Sequence, residues 1–246
     1  PSDWSGVSGT ESIALFGQST FRFSEATSIT LGLRWNDEEI AVDYLDNSIG
    51  PASAISESDS DSEVLGNLSL QHFINEETML YARYAQGYKG QAYDITSGFD
   101  QLKADNPVAP ETSDSFEIGI KSTLLDNRLQ LNATAFYTEY QDFQAQSTQV
   151  LPDGSLLISI NNVGEVETKG LELEGVALLG ESLSVTFGAA YIDGEITSFD
   201  NANCYPGQTE AEGCMDGTQD LAGGALPNSP EFKWNLAADY QAELAS

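Results

Sequence analysis

Apolar and polar residues alternate with a period of two along nearly the whole of this 246-residue chain. Strands satisfy that period and helices do not, because successive side chains of a strand point to opposite faces. In 128–138 the odd positions are Leu129, Leu131, Ala133, Ala135 and Tyr137, and the even ones Gln130, Asn132, Thr134, Phe136 and Thr138. Phe116, Ile118, Ile120 and Leu124 alternate in the same way with Glu117, Gly119, Lys121 and Thr123. Leu183, Val185, Phe187, Ala189 and Tyr191 repeat the pattern, as do Phe232, Trp234, Leu236, Ala238 and Tyr240, and Ile29, Leu31, Leu33 and Trp35. None of these segments has apolar residues at the three- and four-residue steps of an amphipathic helix.

The pattern predicts nine strands, at 11–24, 28–44, 63–74, 78–88, 114–124, 128–144, 156–178, 182–196 and 231–243. Short turns at 25–27, 75–77, 125–127 and 179–181 alternate with long polar loops at 45–62, 89–113, 145–155 and 197–230. Strict alternation puts all turns at one end of the sheet and all loops at the other. The fold class is therefore all-β, an antiparallel meander with one plain rim and one elaborate rim. Such a layout suits a transmembrane β-barrel segment.

Periodicity alone does not tell which face is wet. A secreted sandwich or solenoid would bury its apolar faces against each other, whereas a membrane barrel turns them outward to lipid. Several apolar faces end in Trp35, Tyr84, Tyr137, Tyr191, Trp234 or Tyr240, as an interfacial aromatic girdle does. The opposite faces carry Gln, Asn, Thr, Ser and Gly, which suits a wet lumen. The predicted strands also exceed the roughly 5–6 residues usual in soluble sheets. On the barrel reading, the faces of Leu129/Leu131/Ala133, Phe116/Ile118/Ile120 and Leu183/Val185/Phe187 share the convex, lipid-facing side of one curved sheet. Composition removes other classes. With 9 Lys+Arg against 39 Asp+Glu the formal net charge is −30, which leaves no basic stripe for nucleic acid. Hydrophobic residues at 40% are too many for a disordered acidic tail. Two Cys and one His are too few soft ligands for a Cys/His zinc site, and no catalytic site, metal or cofactor is expected.

Blocks of the chain, taken in order, resemble the barrel domain of TonB-dependent outer-membrane receptors of the iron-complex or siderophore type. They are Tyr81, Tyr84, Gly87, Tyr88 and Lys89, then Pro110, Glu111, Glu117, Gly119 and Lys121, then Phe136, Tyr137 and Tyr140. Asn162 and Gly164, followed by Lys169, Gly170, Glu172 and Glu174, continue the series, and LPNSPEFKWNLAADY closes it. The resemblance implies a barrel of about 22 strands around an N-terminal plug. It also implies location in the bacterial outer membrane, uptake of a scarce ligand such as a ferric siderophore, and a TonB complex as partner. Residues 1–246 contain no plug, TonB box or closing aromatic strand, so the expectation is an internal part of the barrel domain. A porin-like or structural barrel, and receptors of the same family for glycan, haem or cobalamin, remain alternatives. A secreted carbohydrate-active protein would need converging carboxylates that the scattered acids do not suggest.

Candidate site residues sit at strand ends and in loops. Tyr81, Arg83, Tyr88, Lys89, Tyr93 and Phe99 surround the 81–99 strand end, where they are either ligand contacts or girdle residues. Arg22, Arg34, Arg83, Lys121 and Lys233 fall on polar faces, aimed at a plug or an anionic ligand, or paired with wall carboxylates such as Glu117. Cys204 and Cys214 flank YPGQTEAEG in the longest loop and read as a disulfide, with free thiols or a metal pair as alternatives. No Lys or Arg lies between Arg34 and Arg83, and the run SESDSDSE (56–63) reads as a solvated loop or a weak divalent-cation bridge to lipopolysaccharide. His72 is expected at the membrane interface.

Overall fold

The computed structural model describes residues 3–48, 53–95, 98–150, 156–200, 202–205 and 207–242. The strands are β1 (Trp4–Arg22), β2 (Thr27–Asp46), β3 (Ser53–Asn75), β4 (Thr78–Lys89), β5 (Glu111–Leu124), β6 (Leu129–Gln141), β7 (Gln144–Val150) and β8 (Leu156–Asn162). They continue with β9 (Glu165–Leu179), β10 (Leu183–Ser198), the two-residue strands β11 (Ala202–Asn203), β12 (Thr218–Gln219) and β13 (Gly224–Ala225), and β14 (Phe232–Tyr240). One antiparallel sheet runs β1-β2-β3-β4-β5-β6-β9-β10, with β13 and β14 both paired to β10. The nine expected strands are its nine long members, in the expected order. No helix among the described residues is long and apolar enough to cross a membrane, so any crossing is made by strands.

The register explains how a period-two sequence becomes a two-faced wall. Phe21, Ile29, Leu70, Ala82, Ile118, Ala135, Leu171, Tyr191 and Phe232 form one cross-strand row. A one-residue slip anywhere would turn the rest of that row to the other side. The three faces expected to coincide do so, on one side of one sheet. They are not the core of a sandwich: Ile118 is 62% exposed, Leu171 61% and Trp234 70%. At about 25 cal/mol per Å² such a band is unfavourable in water and costs nothing against hydrocarbon. The opposite face carries Ser69, Arg83, Glu117, Phe136 and Gly170 in the adjacent row.

Several predicted boundaries are corrected. Most of the expected loop 45–62 is strand, because β2 runs to Asp46 and β3 starts at Ser53. The acidic run therefore lies in a ladder, with Asp43 opposite Ser56 and Asn36 opposite Glu63. Its alternation sends the serines outward and Glu57, Asp59, Asp61 and Glu63 to the inner side, so it is no solvated loop; residues 49–52 lie outside the described residues. Most of the expected loop 145–155 is likewise a hairpin, β7 on β8, forming a sheet of its own; residues 151–155 lie outside the described residues. The expected strand 156–178 is two strands, β8 and β9, broken at Val163–Gly164. Gly164 has φ +75°, and a Cβ there would come 2.2 Å from the Ser198 carbonyl oxygen, so only glycine fits the corner.

The buried core lies above the wall. Ile40, Val42 and Tyr44 of β2 and Ile55 of β3 pack with Tyr93, Phe99 and Ala104 from the segment between β4 and β5. That segment carries a five-residue helix α1 (Gln101–Asp105), capped by Asp100, whose side chain accepts from the Lys103 amide at 3.0 Å. Ile40 and Val42 are each 1% exposed, unlike any residue of the lipid-facing row.

Candidate functional site

On the inner wall, the Tyr81 ring lies over Gly119, where a Cβ would come 2.5 Å from the ring. Its hydroxyl donates to Glu117 and is 3.0 Å from the Thr134 hydroxyl. Lys121 Nζ sits 5.5 Å from the centroid of the same ring, a cation–π contact. Arg34 donates to Asn36 Oδ1 at 3.2 Å and lies 5.8 Å from the Phe16 ring centroid. Arg83 is exposed and lines a polar cleft of about 210 Å³ with Gly87, Ser113, Ser115 and Glu117. None of Arg22, Arg34, Arg83, Lys121 and Lys233 forms an ion pair among the described residues. The expected Lys121–Glu117 pair is replaced by the contact of both residues with Tyr81. On the other face, His72 Nδ1 is 2.9 Å from Thr27 Oγ1 beside the short-turn rim, in line with an interfacial place.

Above the wall the β3–β4 ladder ends at Asn67–Ala85. Tyr88 reaches over the resulting gap and donates to Asp61 at 3.0 Å, while the Gln86 side chain takes the Gly66 amide proton at 3.0 Å. Lys89 stands 3.9 Å from Glu111 on the neighbouring strand. Tyr93 and Phe99 are each 6% exposed, so they present little surface to a ligand and instead hold the loop to its core. Burial raises the Tyr93 hydroxyl above its ordinary pKa, and the negative charges of Asp59, Glu57 and Asp105 add to the rise. The six candidates thus separate: Tyr81 and Arg83 face the lumen, Tyr88 and Lys89 tie strand ends, and Tyr93 and Phe99 are core.

An aromatic residue that sequence reasoning missed is Trp4. It stacks on Tyr44 at 5.7 Å and is 45% exposed, at the outer end of a series that continues through Phe99 to Tyr93. Its parity with Phe16, twelve positions along β1, was the available signal. The inner side of this rim is acidic, through Glu38, Glu57, Asp59, Asp61 and Glu63. No group of three or more His, Cys, Asp or Glu among the described residues is arranged to hold a metal ion. In the longest loop Cys204 and Cys214 are bonded, with Cα atoms 5.8 Å apart. The bridged ring contains a 3₁₀ turn at Glu210–Glu212 and leaves Tyr205 exposed.

The architecture is therefore a wall apolar on one side and polar on the other, crowned at one end by a folded, acidic rim. Comparison with known proteins agrees with it. Residues 1–245 match the family model described as TonB dependent receptor-like, beta-barrel. The pesticin receptor of Yersinia pestis is 29% identical over 171 residues, 69% of this chain and 24% of that protein. In structure, the chain superimposes on the ferric yersiniabactin uptake receptor FyuA of Yersinia pestis with a TM-score of 0.74 at 22% identity, covering 96% of this chain and 32% of that one. For the siderophore receptor PiuA of Acinetobacter baumannii the values are 0.70, 24%, 95% and 31%. The chain thus spans about a quarter of the curated relative's length and about a third of the two solved receptors. It belongs to the TonB-dependent receptor family, as part of the β-barrel that lies in the bacterial outer membrane.

Proposed function

We propose that these residues form the wall and outer rim of a receptor that imports a ferric siderophore by energised uptake. The observation that carries a transport role is the two-faced sheet itself. A lipid-compatible band nine strands wide backs a polar, hydrogen-bonded inner face that leads up to a structured rim. The work of such a structure is binding and gated passage, with no chemical step. The relatives that point to a ferric siderophore are receptors for pesticin, for ferric yersiniabactin and for a siderophore. In this reading the lumen-facing Tyr81 and Arg83 and the exposed rim ring of Trp4 contact the ligand, Tyr88 and Lys89 shape the entrance, and Tyr93 and Phe99 support the loop beneath it. A plug and an inner-membrane TonB complex supply the gate and the energy, and outer-leaflet lipid and lipopolysaccharide surround the apolar band.

The test is uptake of radiolabelled iron, offered as ferric yersiniabactin and as a panel of ferric hydroxamates and catecholates, by cells with and without the full-length gene. Gene-dependent uptake that stops when the proton-motive force is collapsed supports the reading. Uptake that persists without that force would point to a passive pore, and gene-dependent uptake of haem, cobalamin or a glycan alone would reassign the ligand.

A further inference from the structure

Three of the motif pieces read from the sequence, Gly87-Tyr88-Lys89, Pro110-Glu111 and Asn162-x-Gly164, are far apart in the chain and meet in one hydrogen-bonded knot. Its centre is the segment 90–110, whose ends come together where Ala92 and Val108 exchange backbone hydrogen bonds of 3.1 and 2.9 Å. Gln144, 8% exposed at the start of β7, uses its amide NH₂ twice. It donates to the Gly90 carbonyl at 2.9 Å and to the Ala109 carbonyl at 2.8 Å, so one side chain spans both ends of the segment. The Gln144 backbone N–H donates to Glu111 Oε2 at 2.7 Å, the same oxygen that faces Lys89. From β8, Asn162 accepts from the Ala109 N–H at 2.8 Å and donates to the Ala109 carbonyl at 2.9 Å, as a paired strand would. Its amide also donates to the Asp142 carbonyl at 2.7 Å. Farther out, Asp94, 7% exposed, accepts from the Ile160 amide at 3.2 Å and pairs with Lys103 at 3.5 Å.

We propose that Gln144 and Asn162 are positioning residues that clasp segment 90–110 to the β7–β8 hairpin. The clasp makes the two one rigid body and fixes the part of the rim that the ligand meets first. The role assigned to that rim rests on the transport reading above; the clasp itself does not. The physical reason for a side-chain clasp is geometric. β4 and β5 are paired up to Lys89–Glu111, and the β7–β8 hairpin belongs to a separate sheet, so among the described residues no ladder joins the hairpin to the segment. Gly90 and Ala109 are half-buried, and a backbone acceptor shielded from water is costly unless it finds a donor, which Gln144 supplies to both and Asn162 to Ala109. An amide side chain has both a donor and an acceptor at the spacing of a peptide group. It can therefore substitute for the missing strand, which a hydroxyl or a carboxylate cannot.

The experiment is amide hydrogen exchange on the full-length protein in detergent, without ligand, for wild type, Gln144→Met and Asn162→Asp. Methionine keeps the volume of Gln144 and removes both donated bonds; aspartate keeps the acceptor of Asn162 and removes its donors. In both variants exchange at 92–108 should accelerate about tenfold or more, as expected when two hydrogen bonds that hold a local opening are lost. The ladders at 129–141 and 165–179 should keep wild-type rates. A conservative pair separates bonding from shape: Gln144→Asn, too short to span both carbonyls, should behave as Met does. Unchanged exchange at 92–108 in Gln144→Met and Asn162→Asp would overturn the clasp, and equal acceleration in the wall would make these residues merely structural. Because no ligand is present, failure here leaves the transport reading intact, and failure of uptake leaves the clasp intact. Where the clasp holds, affinity for the imported complex should fall in Gln144→Met, while the maximal uptake rate at saturating ligand is retained.

Discussion

The wall and the rim are made by the same strands and held together in opposite ways. Along β2, Ile29, Leu31 and Leu33 turn outward to lipid, and Leu33 is 66% exposed. A few residues farther along the same strand, Ile40 and Val42 turn inward and are 1% exposed. Below the girdle, burial is supplied by the bilayer and the protein contributes the hydrogen-bonded ladder. Above it water lies on both sides, and the long β2–β3 hairpin needs a core of its own, which Tyr93, Phe99 and Ala104 complete. Even with β1 paired to β2 up to Trp4–Asp46, a narrow ribbon in water needs a packed apolar face to be stable. The segment between β4 and β5 is thus the buttress that lets β2 and β3 stand above the membrane, and its sequence is free to carry specificity only where it is not buried.

If the two zones are independent, damage should stay in its zone. Ile40→Ala should remove about 2–5 kcal/mol from the rim core. The effect should appear as faster amide exchange at 92–108 and in the outer halves of β2 and β3, with normal barrel assembly judged by heat-modifiable gel mobility. Ile120→Arg, midway along the lipid-facing side of β5, should cost about 2–4 kcal/mol and lower the yield of folded barrel as a whole. Leu131→Arg should cost less, because Leu131 pairs with Ser122 close to the short turns, where an arginine can reach the interface. A rim substitution that blocked assembly, or a wall substitution felt only in the rim, would show that the zones fold as one.

The same division decides what was legible in the sequence. Wall strands follow a strict two-residue rule because one side meets lipid and the other water, so Leu129–Tyr137 could be read directly and nine strands placed in order. In the rim the rule fails for three separate reasons. Ser56–Glu63 is polar at every position, so it carries no apolar–polar alternation although every residue of it is paired with β2. Val163–Gly164 breaks an apparently continuous strand through a corner that only the Gly164 φ reveals. Tyr93 and Phe99 are aromatic residues in a loop, a pattern shared by ligand contacts and by a small buried core. Asn162 and Glu111 stood out as motif residues, yet their meeting place depends on tertiary pairing that no local spacing encodes.

Segment 90–110 is fastened by packing and amide bonds, whereas the loop between β10 and β14 is fastened by a covalent bridge. Reducing Cys204–Cys214, or replacing both by Ser, should destabilise that loop by about 2–3 kcal/mol through restored chain entropy. Proteolysis should then begin within 204–217 while β9 and β10 stay intact. Accelerated exchange at 92–108 on reduction would show that the two rim elements are coupled.

The smallest effect concerns the turn inside that bridge. The Glu212 carboxylate accepts the Thr209 backbone N–H at 2.9 Å and the Thr209 hydroxyl at 2.9 Å, closing a capping box around the 3₁₀ turn. These hydrogen bonds, the backbone one first, hold its pKa below the ordinary glutamate value of 4.5. A carboxyl whose folded pKa is depressed contributes its stabilisation fully above the unfolded value and loses it as pH falls through the folded one. The turn should therefore be intact at neutral pH and loosen only below about pH 4.5, with Glu212→Gln weakening it at neutral pH and flattening its response to acid. Exchange at the Thr209 and Gly213 amides followed from pH 7 to pH 3, after correction for the intrinsic rate, is the measurement. The wall offers the control, since its ladder amides at 129–141 involve no titrating partner. If the turn kept its protection in acid while the wall lost it, the carboxylate would not be what closes the turn.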